Sequence, residues 1–222
     1  RSARGGLGDV AKFVAMHAQQ SADIELRAVA ISDETKYGSD NGLAFTEVKP
    51  EARRVKLEEA LQGVDILNVN LAAADAGSKL ESAFRGCSAV VAAPGSRQPG
   101  LANTCELGAR IIVGAMKTAG VERLVVLSSM GVGNDFIPAG FAKYLMKVMM
   151  VTYMAQPKRD LVAMEQVVRD SNLDYVIVRP MGVDPDELPQ GKWRVIDAPV
   201  KRAPPLTVAK EDVAQYVLTE AL

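Results

Sequence analysis

Short aliphatic runs alternate with amphipathic stretches along this chain, and that alternation limits its fold more than any other feature. The aliphatic runs are Glu25–Ile31, Val64–Val69, Ser88–Ala93, Val121–Leu127 and Asp174–Val178. Helical patterns occupy Ser78–Phe84, Leu101–Ala119 and Lys158–Asp170, and a last helix starts near Lys210. Pro50 opens a further helical stretch, EARRVKLEEAL, after a polar, glycine-bearing segment over 33–50 that reads as a long loop. Gly63, Gly86 and Gly120 stand just past helical stretches, where helices commonly stop. Strands separated by helices join through crossovers, so they lie parallel with helices on both faces. The expected fold class is α/β, a doubly wound parallel sheet forming a single domain over 1–222. Residues 184–209, with a short strand near Trp193, would form a small C-terminal cap.

The first helical pattern begins directly after Arg4-Gly5-Gly6-Leu7-Gly8, with Val10, Phe13, Val14 and His17 at i, i+3, i+4 and i+7. A glycine turn opening a helix is how such a fold holds a dinucleotide. Residues without Cβ let the backbone approach the pyrophosphate, and the helix's first N–H groups and positive dipole end face it. The complete motif has a strand ahead of it and three glycines. Ser2 stands where the first glycine would, and no strand precedes it. The expectation is therefore that this sequence starts inside the motif, its first strand lying upstream.

Composition excludes several classes. The net charge of −1 over 222 residues creates no field to gather nucleic acid or an anionic membrane. Two cysteines, Cys87 and Cys105, make no disulfide framework and fit a reducing compartment, cytoplasm or organelle interior. With His17 the one histidine, no metal site is expected. The most apolar run, Leu145–Ala155, is too short to span a bilayer and contains Lys147. A start at Arg1 leaves a targeting segment open.

Ligands of open parallel sheets bind beyond the carboxyl ends of the strands. Those ends carry Ser32-Asp33, Asn70-Leu71, Pro94-Gly95-Ser96, Ser128-Ser129-Met130 and Pro180-Met181-Gly182. Small and hydroxyl residues recur there and suit a ligand lying along the sheet edge, although each also makes a turn well.

Gly108–Gly133 (GARIIVGAMKTAGVERLVVLSSMGVG), Arg159–Val183 (RDLVAMEQVVRDSNLDYVIVRPMGV) and Lys210–Leu218 (KEDVAQYVL) resemble the atypical short-chain dehydrogenase/reductases. Within these the likeness is to the NmrA-like group that includes biliverdin-IXβ/flavin reductases. The resemblance implies a Rossmann-like fold. It also implies that Arg4, Gly5, Gly6, Leu7 and Gly8 take a pyrophosphate and Gly95-Ser96 the ribose side. Ser128 and Ser129 would line the nicotinamide, with the backbone of Pro180, Met181 and Gly182 closing over it. Ser32 replaces an arginine that many members use for a 2′-phosphate, and Asp33 beside it suits a ribose hydroxyl instead. Lys36 would restore a positive contact. NADP(H) is favoured slightly over NAD(H).

The Tyr-x-x-x-Lys acid of typical short-chain dehydrogenases is missing: Tyr37, Tyr144, Tyr153, Tyr175 and Tyr216 are each followed four residues on by something other than lysine. Alcohol–ketone chemistry needs a proton donor beside the substrate oxygen. An electron-poor ring stacked on the nicotinamide asks less of the protein. The reading is an NAD(P)H-dependent reductase of a flat conjugated acceptor, a flavin, bilin or quinone-like ring. Ser128, Ser129 and Asp160 are its candidate catalytic residues; Asp160 shares a helical face with Met164 and Val167 and would point into the pocket. The alternatives are a non-catalytic dinucleotide-binding subunit of a larger assembly and a redox sensor. His17, ending an apolar stripe, is expected to pack rather than react. Four of nine methionines fall in Met146–Met154, and the 141–154 helix, apolar over much of its circumference, would wall the acceptor pocket or dock a protein partner.

Overall fold

The computed structural model describes residues 9–31, 63–71, 73–94, 104–132, 155–184, 187–196 and 207–222. In chain order they form α1 (Asp9–Gln20), β1 (Ala28–Ile31), β2 (Asp65–Asn68), α2 (Ala76–Phe84), β3 (Ala89–Ala92) and α3 (Thr104–Ala119). Then come β4 (Arg123–Leu127), α4 (Ala155–Arg169), β5 (Asp174–Val178), β6 (Gly182–Asp184), β7 (Thr207–Ala209) and α5 (Lys210–Ala221). The glycine turn, the 33–50 loop, the helix opened by Pro50 and the 141–154 helix lie outside the described residues.

Every strand pairing among the described residues is parallel. β1 pairs with β2, Ile31 opposite Asn68. β3, β4 and β5 form one ladder in which Ala92 opposes Val126 and Val126 opposes Ile177. β6 pairs with β7, Val183 opposite Val208. This is the expected α/β, Rossmann-like architecture.

Alternation along each strand decides which helices its residues meet. Val90, Ala92, Leu124, Val126, Tyr175 and Ile177 pack with α3 and α4, through Cys105, Ala109, Val113, Met116, Met164 and Val168. The intervening Val91, Val125, Leu127, Val176 and Val178 face α1 and α5, meeting Val10, Phe13, Val14, Val213, Ala214 and Val217. With both faces covered, Leu124, Val125 and Val126 are each 1% exposed or less. That double burial is why β4 reads as an unbroken aliphatic run.

The end of α3 shows how local sequence closes a helix. Gly120 takes the left-handed conformation at φ 75°. Its N–H donates to Lys117 O and that of Val121 to Met116 O, a Schellman arrangement. Val121 is buried in the same cluster as Met116, so the motif turns the chain straight into β4.

Two of the departures from expectation have a local explanation. α4 begins at Ala155 rather than Lys158; Pro157 lies within its first turn, where a helix does not need the missing N–H. The strand expected near Trp193 is absent, and 187–196 is irregular. The N–H groups of Gln190 and Gly191 go to the Asp212 carboxylate at 2.9 Å each, not to a neighbouring strand. Gly191 at φ 63° also breaks the extended course. The Trp193 ring lies against Tyr216 of α5, centroids 5.9 Å apart.

Candidate functional site

The described strand ends among those predicted to hold a ligand fall into two tied groups. The first joins the ends of β2 and β3 through α3. Gly108 is buried on α3, and a Cβ there would come within 3.3 Å of Leu71 Cδ1 and 4.0 Å of Pro94 Cβ. The absent side chain lets the helix come up beneath both residues. Leu71 and Pro94 are half-buried, while Asn70 is exposed.

The second group joins the ends of β4 and β5. Beyond the regular ladder, Ser128 N–H donates to Val178 O at 2.8 Å and Met130 N–H to Pro180 O at 3.1 Å. The predicted Ser128–Ser129 and Pro180–Gly182 segments are thus laid side by side by their backbones. Ser129, Met130, Pro180 and Met181 are half-buried and Gly182 is exposed, beginning β6.

The two serines differ. Ser128 is buried, and its Oγ lies 2.7 Å from Glu165 Oε1 on α4. Glu165 Oε1 also accepts from Arg179 Nε at 2.9 Å, and Oε2 from the Arg179 and Arg169 guanidinium groups. Burial opposes ionisation of Glu165, but the bonds from Arg179 and Ser128 outweigh it and hold the carboxyl below its ordinary value. An ionised carboxylate only accepts, so Ser128 must donate its one hydroxyl proton to Glu165. Ser128, a candidate catalytic group, has its proton committed to α4. Ser129 is the less engaged of the pair: its Oγ has a long 3.5 Å contact with Met130 O.

Asp160, expected to reach the pocket as an acid, caps another helix. Its Oδ2 accepts from Cys105 N–H and its Oδ1 from Glu106 N–H, both at 2.9 Å. These N–H groups open α3 and have no partner within that helix. The face shared with Met164 is real, both residues being buried, but it turns onto α3. His17 is half-buried, with Nε2 3.2 Å from Glu211 Oε1 of α5 and no hydrogen bond between them. Arg4, Gly5, Gly6, Leu7, Gly8, Ser32, Asp33, Lys36, Gly95 and Ser96 lie outside the described residues.

Sequence reasoning missed Glu165, Arg179 and Asp212. One signal was available for the first. Glu165 falls within the stripe Leu161, Met164 and Val168, where a carboxylate must find a partner or leave the core.

Among the described residues no group of His, Cys, Asp and Glu could hold a metal ion, and no helix is long and apolar enough to cross a membrane.

A family model described as NAD(P)H-binding matches residues 5–221. The chain belongs to this NAD(P)H-binding family. Among solved structures of that architecture, a candidate NAD-dependent epimerase/dehydratase from Bacillus halodurans superposes with a TM-score of 0.64 at 21% identity, covering 96% of this chain and 83% of that one. ChuY, an anaerobillin reductase from Escherichia coli O157:H7, gives 0.60 at 18%, covering 95% and 84%. A short-chain dehydrogenase/reductase from Veillonella parvula, solved in complex with NADP, gives 0.59 at 18%, covering 96% and 82%. At these identities the likeness is one of fold. No curated protein matches the sequence.

The described strand ends belong to parallel strands, and at Gly108 a helix comes close to two of them because a side chain is missing.

Proposed function

We propose that this chain is an NAD(P)H-dependent reductase of a flat, conjugated acceptor such as a flavin, a bilin or a quinone-like ring. The observation that carries this reading is the edge formed by the ends of β4 and β5. Ser129 is half-buried there, and the Ser128 proton is committed to Glu165. Neither described tyrosine stands at that edge: Tyr175 is near the amino end of β5 and Tyr216 packs under Trp193. An edge whose described residues include no tyrosine proton donor suits an acceptor ring that takes a hydride directly.

In this reading Arg4 to Gly8 and the start of α1 hold the pyrophosphate, and Asn70, Leu71, Pro94, Gly95 and Ser96 flank the adenosine half. Ser129 and the Pro180–Gly182 backbone border the nicotinamide. The bound cofactor supplies the hydride; the chain's own residues orient the two rings and exclude water. The ChuY of E. coli O157:H7, an anaerobillin reductase on a similar fold, supports a bilin among these acceptors. Ser32, Asp33 and Lys36 would govern the choice between NADP(H) and NAD(H). NADP(H) is preferred on Lys36 and, more weakly, on the NADP complex of the V. parvula protein.

The test is loss of reduced-nicotinamide absorbance with NADPH or NADH in the presence of FMN, biliverdin or a naphthoquinone. Acceptor-dependent oxidation is expected, and Gly5→Val should abolish cofactor binding while leaving the fold intact. Tight dinucleotide binding without turnover of any acceptor would overturn the reductase and favour a non-catalytic subunit, with the 141–154 helix as its docking surface.

A further inference from the structure

We infer that Glu165 and Arg179 are positioning residues for the proposed hydride transfer: together they set the place of the Ser128–Met130 turn against the end of β5. The inference rests on the reductase reading for its kinetic consequence, though the geometry stands apart from it.

Three links converge on the turn. Ser128 is held by its N–H to Val178 O and by its Oγ to Glu165 Oε1 at 2.7 Å, while Met130 N–H reaches Pro180 O. Val178 and Pro180 flank Arg179, whose guanidinium grips the same carboxylate through Nε and a terminal nitrogen. One side chain from α4 therefore clasps the ends of two strands. The Glu165 side chain is 5% exposed and that of Arg179 24%, so water competes poorly for either group. A fork-to-fork pair also fixes orientation, which a single hydrogen bond does not.

Alternation along the chain gives the clasp its consequence. Ser128 goes down toward α4, so Ser129, the next residue, leaves on the other side, where β4 residues face α1. The glycine turn feeds directly into α1 in the sequence. Fixing Ser128 thereby fixes the hydroxyl and backbone of Ser129 at the edge where the nicotinamide would lie. Hydride transfer is sensitive to small errors of approach: a displacement of about 1 Å costs roughly a hundredfold in rate. Neither Glu165 nor Arg179 needs to touch the cofactor, and neither is a catalytic residue in this account.

Two readouts test the inference. The first uses no cofactor: in E165Q, amide hydrogen exchange at Ser128 and Met130 should quicken at least tenfold relative to the wild type. Leu124–Val126 in the middle of β4 should stay protected. The second is kinetic, with NADPH and whichever of FMN, biliverdin or naphthoquinone the wild type reduces. E165Q should lower kcat by roughly ten- to a hundredfold, with the NADPH Kd and the acceptor KM held within about threefold. R179K, which keeps the charge but loses the fork, should fall between E165Q and the wild type. Should E165Q melt below the assay temperature, S128A reads the same link with the Glu165–Arg179 pair intact, and its Met130 amide should lose protection. Unchanged protection of Ser128 and Met130 in E165Q, or of Met130 in S128A, overturns the inference, as does a wild-type kcat in either. A wild type that turns over no acceptor overturns the reductase reading instead, and the exchange arm still decides the clasp.

Discussion

At the scale of single residues, the carboxylates carry the most information. Glu165 is held below its ordinary pKa in the folded chain, so it stabilises the fold fully above the unfolded glutamate value of 4.5. That contribution is lost as pH falls below 4.5 through the depressed folded value. At neutral pH, E165Q should lose about 2–3 kcal/mol, because Arg179 keeps its charge in a partly buried place without its counter-ion. The gap between variant and wild-type melting temperatures should close as the pH is taken below 4.5; a gap constant with pH would refute the linkage. Asp160→Ala strips two acceptors from the start of α3 and should cost about 2 kcal/mol. Thermal unfolding would read this as a drop of roughly 4–8 °C for a chain of this size. Unaltered cofactor affinity well below the transition would agree with a capping role. These roles were only partly legible in the sequence. Asp160 was visible as an acid on an apolar face, but its partners, Cys105 and Glu106, lie more than fifty residues earlier. Spacing within one helix says nothing of such a neighbour. Ser128 and Ser129 look equivalent on paper; what separates them is a glutamate that only the packing of α4 brings near.

At the scale of elements, most of the fold could be read ahead. The β4 and β5 runs, the stop at Gly120 and the closing helix at Lys210 all follow from periodicity and capping chemistry. The failures have separate causes. Pro157 stops a propensity argument but not a helix's first turn. The 187–196 segment carries the strand formers Trp193, Val195 and Ile196. Just ahead of them, however, the N–H groups of Gln190 and Gly191 go to Asp212 and Gly191 takes a positive φ, and the segment is irregular. Gly108 supplies the element-scale prediction. Alanine there gains up to about 1 kcal/mol of helix propensity, set against a 3.3 Å contact with Leu71, and should be close to neutral. Valine must push α3 off Leu71 and Pro94 and should cost about 1–3 kcal/mol. Because both neighbours stand at strand ends, Gly108→Val should also weaken dinucleotide binding, measured by titration at a temperature where the variant is folded. A Gly108→Val protein with wild-type affinity would show that these two ends contribute nothing to the cofactor site.

At the scale of the whole molecule, the layered α/β arrangement is what the sequence best foretold, because helix and strand patterns agreed along its length. Least legible was how remote parts meet, and the pairing of α1 with α5 is the clearest case. Val10, Phe13 and Val14 pack with Val213, Ala214 and Val217 over Val125 and Val178. Arg123 adds a tie from the start of β4, its guanidinium donating to Glu220 O near the end of α5. A chain ended after Ala209 should therefore bind a hydrophobic dye and sediment with aggregates, whereas one lacking only Leu222, 80% exposed, should behave as the full chain does. The same contact sets an order of events on the ribosome. Synthesis delivers α1, β3, β4 and β5 before α5, so the part of that sheet face covered by Val213, Ala214 and Val217 waits for α5. Until α5 clears the exit tunnel, that part of the face remains a surface for chaperones or for another chain.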